Sequence, residues 1–170
     1  LETVRKLLLS GALIIFSDIL VIPQAMGMTV EMVKGKGPVF PAPLALTPGD
    51  LSALNLTPDV DAELGYVFDA INLVRQRSEG KVPLIGFCGA PWTLMAYMVE
   101  GGGTKTFHKS KPWLYNHPVA SHTLLAAIAD LCVTYLIGQV RAGAHLLQVF
   151  DSWGGQLGPA LFAEFSLPYL

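Results

Sequence analysis

The sequence predicts an α/β fold in which parallel strands alternate with helices. Three short apolar runs carry no polar alternation: Ala12 to Phe16, Val82 to Phe87 and His145 to Phe150. Such runs read as strands buried on both faces, the habit of parallel sheets. Segments with helical spacing of apolar residues lie between them, and strand–helix–strand alternation builds βα units. Each run also ends in a cluster of polar residues and glycines that core packing alone does not call for.

The first run lies in the stretch Leu7 to Met28, which is apolar enough to mimic a membrane span. Asp18 sits in its centre, and a carboxylate at mid-membrane costs about 2.5–3.5 kcal/mol on insertion scales. Pro23 follows. A buried strand running into a loop fits better, and no basic segment with a small-residue cleavage site marks a signal peptide. Next, Thr29 to Val33 and Pro38 to Phe40 flank Lys34-Gly35-Lys36-Gly37, which predicts a hairpin. Pro41 and Pro43 carry an extended connector. From Asp59 to Arg77, Val60, Leu64, Val67, Phe68, Ile71 and Val74 recur on one helical face, with Asp59 at or near the N-cap.

The second strand leads through Pro91 into a helix carrying Tyr97. Gly101-Gly102-Gly103-Thr104 lacks the spacing and the Lys-Ser/Thr ending of a phosphate loop, and reads as a flexible surface loop. From Ala120 to Arg141, Leu124, Ile128, Leu131, Tyr135 and Val140 mark a second long helix, which Gly143 stops before the third strand. On pattern alone, an open doubly wound sheet and a barrel both remain.

The 170 residues fit one domain, yet they are 52% hydrophobic and only 14% charged. A mean hydropathy of +0.48 is high for a small soluble domain, which has much surface to cover with polar groups, and suggests part of a larger body. A formal charge of −2 argues against non-specific nucleic-acid binding. Lys105, Lys109 and Lys111 read as a solvated surface. Cys88 and Cys132 form no C-x-x-C and are expected to pack as small apolar residues in a reducing compartment. His108, His117, His122 and His145 show no ligand spacing, so no metal is expected.

The strand ends are Phe16-Ser17-Asp18-Ile19-Leu20, Gly86-Phe87-Cys88-Gly89-Ala90-Pro91-Trp92-Thr93 and Phe150-Asp151-Ser152-Trp153-Gly154-Gly155. In parallel α/β proteins such ends meet on one face, where sites are built. Asp18 is a candidate site carboxylate, with turn capping as its other reading. For Asp151 and Ser152 the favoured reading is capping of a helix that starts near Gly154. Tyr97 reads first as core, and the glycines would let backbone approach a ligand.

At these residues the sequence resembles the uroporphyrinogen decarboxylase family. The resemblance runs through Ile14-Ile15-Phe16-Ser17-Asp18-Ile19-Leu20-Val21-Ile22-Pro23-Gln24-Ala25-Met26-Gly27. It continues in Pro83 to Met95, in Tyr97-Met98-Val99-Glu100-Gly101-Gly102-Gly103, in the hairpin ending Gly35-Lys36-Gly37-Pro38, and in Gln148-Val149-Phe150-Asp151-Ser152. It implies a single (β/α)8 TIM barrel with its cleft at the carboxyl face, a homodimer, and no metal or organic cofactor. The implied reaction removes carbon dioxide from the four acetate side chains of uroporphyrinogen to give coproporphyrinogen. Asp18 then matches the aspartate that receives the pyrrole N–H groups, and Tyr97 the tyrosine close to it. Ser152 matches a substrate-contacting serine, and Phe150 lines the cleft. The compartment implied is the cytosol, or a plastid.

The family's cleft pairs the substrate carboxylates with arginines from a segment ahead of the Asp18 strand, and carries a histidine near the far end of the barrel. Residues 1–170 are therefore expected to be the central part of one longer barrel domain. Arg5, Arg75, Arg77 and Arg141 sit in helical patterns and are not assigned to that role. Two other readings stand beside this one. One is a short, non-catalytic product acting only by association with other chains. The other is a relative such as a corrinoid-linked methyltransferase, whose chemistry expects zinc ligands.

Overall fold

The computed structural model describes residues 11–170 apart from residue 46, so Arg5 and the start of the first apolar stretch lie outside the described residues. Three parallel strands form its main sheet: β1 (Leu13–Ile14), β4 (Leu84–Gly89) and β5 (Leu146–Phe150), in the order β1-β4-β5. That spatial order follows the chain order, as adjacent βα units do. The predicted hairpin forms from β2 (Glu31–Val33) and β3 (Gly37–Val39), paired antiparallel with Val33 opposite Gly37.

Each long helix is bounded by residues that its sequence supplies. Helix α2 (Val60–Ser78) starts at Asp59, whose carboxylate accepts from the N–H groups of Asp61 and Ala62. Asp61 and Glu63 sit in its first turn and Arg75 and Arg77 in its last, the arrangement the helix dipole favours. Helix α3 (Pro91–Glu100) opens with proline at its first position and ends on left-handed Gly101. Helix α5 (Pro118–Ala142) likewise opens on proline and ends at Gly143, whose φ of +118° suits glycine. Short helices α1 (Val21–Ala25), α4 (Ser110–Asn116) and α6 (Pro159–Phe165) complete the set.

Helix α5 is long and apolar enough to cross a membrane by length and composition. Here it is the central packing element, against α2, α3 and β4. Leu124, Leu125, Ile128 and Tyr135 are fully buried on that side. Trp92, Leu94, Met95 and Met98 of α3 join the same core.

The prediction of three strands buried on both faces needs correction. β4 is buried almost throughout, but every residue of β5 is exposed, and Ile14 and Phe16 are 51% and 81% exposed. β1 and β5 each pair with β4 on one side only within the described residues. Away from the helices, alternation along the strands sets Ile14, Phe16, Phe87, Leu146 and Phe150 on one apolar face. The apolar runs therefore report two faces built for burial, which this chain covers over β4 and leaves open over β5.

The glycine triplet also differs from a flexible loop. The Gly101 carbonyl accepts from Phe40 N–H, and Met98 C=O accepts from Leu44 N–H, so the connector after the hairpin docks on the end of α3. A Cβ on Gly101 would lie 3.3 Å from Pro43, and one on Gly102 would lie 3.4 Å from Val39. The buried Glu100 carboxylate then gathers the N–H groups of Lys109 and Ser110 and the Ser110 hydroxyl, capping α4 from a distance.

Replacing Asp59 with alanine orphans two N–H groups at the start of α2. The expected loss is about 1 kcal/mol of unfolding free energy, read from urea melts of Asp59→Ala beside the parent.

Candidate active site at the carboxyl ends of the strands

The turn after β1 carries the first candidate. Asp18 is half-buried, and its Oδ1 accepts from Leu20 N–H at 2.9 Å, so the capping reading holds for one oxygen. That bond leaves Oδ2 without a hydrogen-bond partner among the described residues. Ser17, just before it, is tied by its hydroxyl to Tyr135 at 2.9 Å. A cavity of about 300 Å³ opens beside this turn, lined by Ser17, Asp18, Gln24 and Tyr66 among others. One of similar size, about 290 Å³, lies near Gly27 and Leu54, away from the strand ends.

Tyr97 is half-buried and packs against the core, within reach of the Asp18 charge. Burial pushes its hydroxyl above the ordinary tyrosine value, a hydrogen bond with Trp153 offsets part of that, and the Asp18 charge adds to the rise. Partial burial, and then the Asp18 charge, push Tyr66 up in the same sense. Asp18 therefore stands within electrostatic reach of two phenols from two helices. Tyr66 was not singled out in the sequence, where it reads as one more exposed position of α2.

The segment after β5 corrects another expectation. Asp151 caps no helix: the 3-10 turn at Gly154–Gln156 has Trp153 at its N-cap and no side-chain cap bond. Instead Asp151 Oδ1 accepts from the Thr93 hydroxyl at 2.9 Å, and Oδ2 accepts from the Ser166 hydroxyl at 3.2 Å. Thr93 Oγ1 in turn accepts from Trp153 N–H, and Trp92 Nε1 donates to the Trp153 carbonyl. The β5 turn is thereby clipped to the first turn of α3. This clip sets Trp153 beside Tyr97, with ring centroids 5.7 Å apart.

Ser152 is exposed and makes no side-chain hydrogen bond among the described residues, so it caps nothing. Phe150 meets Phe87 edge-on at 5.7 Å, and Phe87 lies 6.1 Å from Phe16, giving a row of three rings across the sheet. Three of the glycines are required by the packing of the chain itself. A Cβ on Gly86 would meet Gln139 Oε1 at 2.3 Å, on Gly89 it would meet Leu94, and on Gly154 it would meet Asp151.

The two cysteines pack in the hydrophobic core as free thiols, as expected. Both are buried, and they are partners: a hydrogen bond with Cys88, then burial, push the Cys132 thiol well above its ordinary value. Arg75, in α2, donates to the Gly143 carbonyl at 3.1 Å and holds two elements together rather than meeting a ligand.

Fold and site together define a protein of consecutive βα units whose polar cluster gathers at the carboxyl ends of parallel strands. Residues 4–170 match the family model for uroporphyrinogen decarboxylase. The chain is 60% identical to the uroporphyrinogen decarboxylase of Schizosaccharomyces pombe over 95% of its own length and 45% of that protein. It is 64% identical to that of Danio rerio over 94% of the chain and 43% of the relative, and 59% identical to that of Homo sapiens over 100% and 46%. This chain belongs to the uroporphyrinogen decarboxylase family, and it spans less than half the length of these relatives. Among solved structures, a methyltransferase from Methanosarcina mazei superimposes with a TM-score of 0.80. It is 19% identical, over 99% of this chain and 49% of that one, which is a likeness of fold.

Two outcomes follow. Burial pushes the Tyr135 phenol up to about 12 from its ordinary 10.0. The unfolded chain therefore loses its proton first, and stability present below pH 10 falls away towards pH 12. Tyr135→Phe should flatten that alkaline limb in melts taken at stepped pH. Separately, Gly154→Ala should drive Asp151 from its clip and lower stability by about 1–3 kcal/mol, measured by denaturant titration.

Proposed function

We propose that this chain forms the central part of a (β/α)8 barrel that decarboxylates the four acetate groups of uroporphyrinogen to coproporphyrinogen. The observation that carries the reading is Asp18, held at the end of β1 by one oxygen, near Tyr97, in a chain whose family match is nearly complete. The apolar face with Phe16, Phe87 and Phe150 supports placement within a larger body, because two faces of the sheet are built for burial. The remaining strands of the barrel would cover that face and pair with the open sides of β1 and β5.

Loss of carbon dioxide leaves an electron pair on the methylene carbon. A protonated pyrrole ring accepts that pair as a cationic sink. The Asp18 carboxylate, facing the pyrrole N–H groups, favours the cation, and preorganised charge in a site shielded from water lowers a barrier by several kcal/mol. Tyr97 stands beside that carboxylate, while Ser152 and Phe150 line the opposite strand end. The same reading carries a homodimer, no organic cofactor, and the cytosol or a plastid as compartment. The methyltransferase likeness is one of fold and adds no second reaction.

The test restores the chain to the length of its relatives and follows coproporphyrinogen formation from uroporphyrinogen. Asp18→Asn should fold normally and lose about 10²–10³ in turnover. Wild-type inactivity would overturn the decarboxylase reading, and normal turnover in the variant would remove Asp18 from its mechanism.

A further inference from the structure

Helix α5 sends a row of side chains into the sheet at the place where β1 parts from β4. The two strands share backbone bonds up to Ile15 N–H, which donates to Ile85 C=O at 3.3 Å. The next β4 residue facing that side is Phe87, and its N–H and C=O find no strand there, since β1 pairs only as far as Ile85. Phe87 N–H donates to Gln139 Oε1 at 2.9 Å, and Gln139 Nε2 donates to Phe87 C=O at 2.9 Å. One carboxamide thus replaces a neighbouring strand on both counts. One helical turn earlier on the same face Tyr135 bonds Ser17, and two turns earlier Cys132 Sγ reaches the Gly89 carbonyl at 3.6 Å. Gln139 and Tyr135 are 2% and 0% exposed, so neither has water to fall back on.

The result is a wedge. Gln139 completes β4, β1 is released from it, and the released chain is caught one residue before Asp18 by the Tyr135 hydroxyl. Asp18 then sets its own turn through Leu20 N–H, and Leu20 is fully buried. The carboxylate has no other anchor among the described residues, so its place depends on where Ser17 is held.

We infer that Tyr135 is a positioning residue for Asp18, acting through Ser17 across the gap that Gln139 keeps open. The inference rests on the decarboxylase reading only for its effect on rate. A side chain behind the sheet controls a carboxylate at its edge because both ends of the intervening backbone are pinned.

The experiment uses the chain at the length of its relatives, with Tyr135→Phe, Ser17→Ala and their double variant. Tyr135→Phe keeps the ring and removes only the hydroxyl. Each single variant should lower kcat about tenfold, as misplacement of a reacting group does, with KM little changed. The double variant should lose no more than either single, since both break one bond. Ser17→Thr, which keeps a hydroxyl, should recover most of the rate. Amide exchange at Leu20 should quicken equally in all three damaged variants while amides of α2 stay unchanged. Normal kcat per folded molecule, multiplying losses in the double variant, or unchanged Leu20 exchange would overturn the inference. If the wild-type chain shows no turnover, the decarboxylase reading falls, and Leu20 exchange still decides whether Tyr135 holds the Asp18 turn.

Discussion

The carboxyl edge of the sheet depends on how one backbone unit, Phe87, satisfies its hydrogen bonds. A buried N–H and C=O without partners each cost about 1–3 kcal/mol, so a strand rarely ends its pairing in the interior. Gln139 supplies both partners from a helix. Gly86 makes this possible, because a Cβ there would collide with the carboxamide oxygen. With β4 satisfied in this way, β1 departs after two paired residues and carries Ser17 and Asp18 outward. A longer β1 would have locked Asp18 into the ladder.

A second constraint holds the far side of the site. Asp151 does not offer its charge to a ligand; it spends both oxygens on Thr93 and Ser166. Charge-assisted bonds of this kind are stronger than neutral ones, and here they join the turn after β5 to the start of α3. Trp153 is fixed as a consequence, its N–H to Thr93 and its carbonyl to Trp92, and its ring supports Tyr97 on one side and Phe107 on the other. Of the neighbouring pair Asp151 and Ser152, the structural residue is the charged one and the exposed residue is the hydroxyl. Polarity alone would have ranked them the other way.

Between these two constraints lies an asymmetric set of groups. Asp18 keeps one oxygen bound and one unbound by protein, and the phenols of Tyr97 and Tyr66 sense its charge from two different helices. The aromatic row of Phe16, Phe87 and Phe150 continues from this point down the sheet face away from α5.

The sequence by itself determined the elements and the candidate carboxylate. Unalternating apolar runs, Asp59, Pro91 and Gly143 mark strands and helix limits through local physics, namely side-chain periodicity, orphaned N–H groups and allowed φ. The turn Lys34-Gly35-Lys36-Gly37 marks the hairpin for the same reason. Long matched runs around Asp18 and Pro91 added the family. Only the tertiary structure decided what depends on approach between distant residues. Gln139 could have been noticed as a lone amide on an apolar helix face, but its partner lies 52 residues away, across the sheet. Cys88 and Cys132 looked unrelated because their contact spans a strand and a helix. The role of Asp151 was misread locally because it answers to side chains on other segments. Local rules set which segments bend or extend; hydrogen-bond satisfaction in a buried interior set which of them meet.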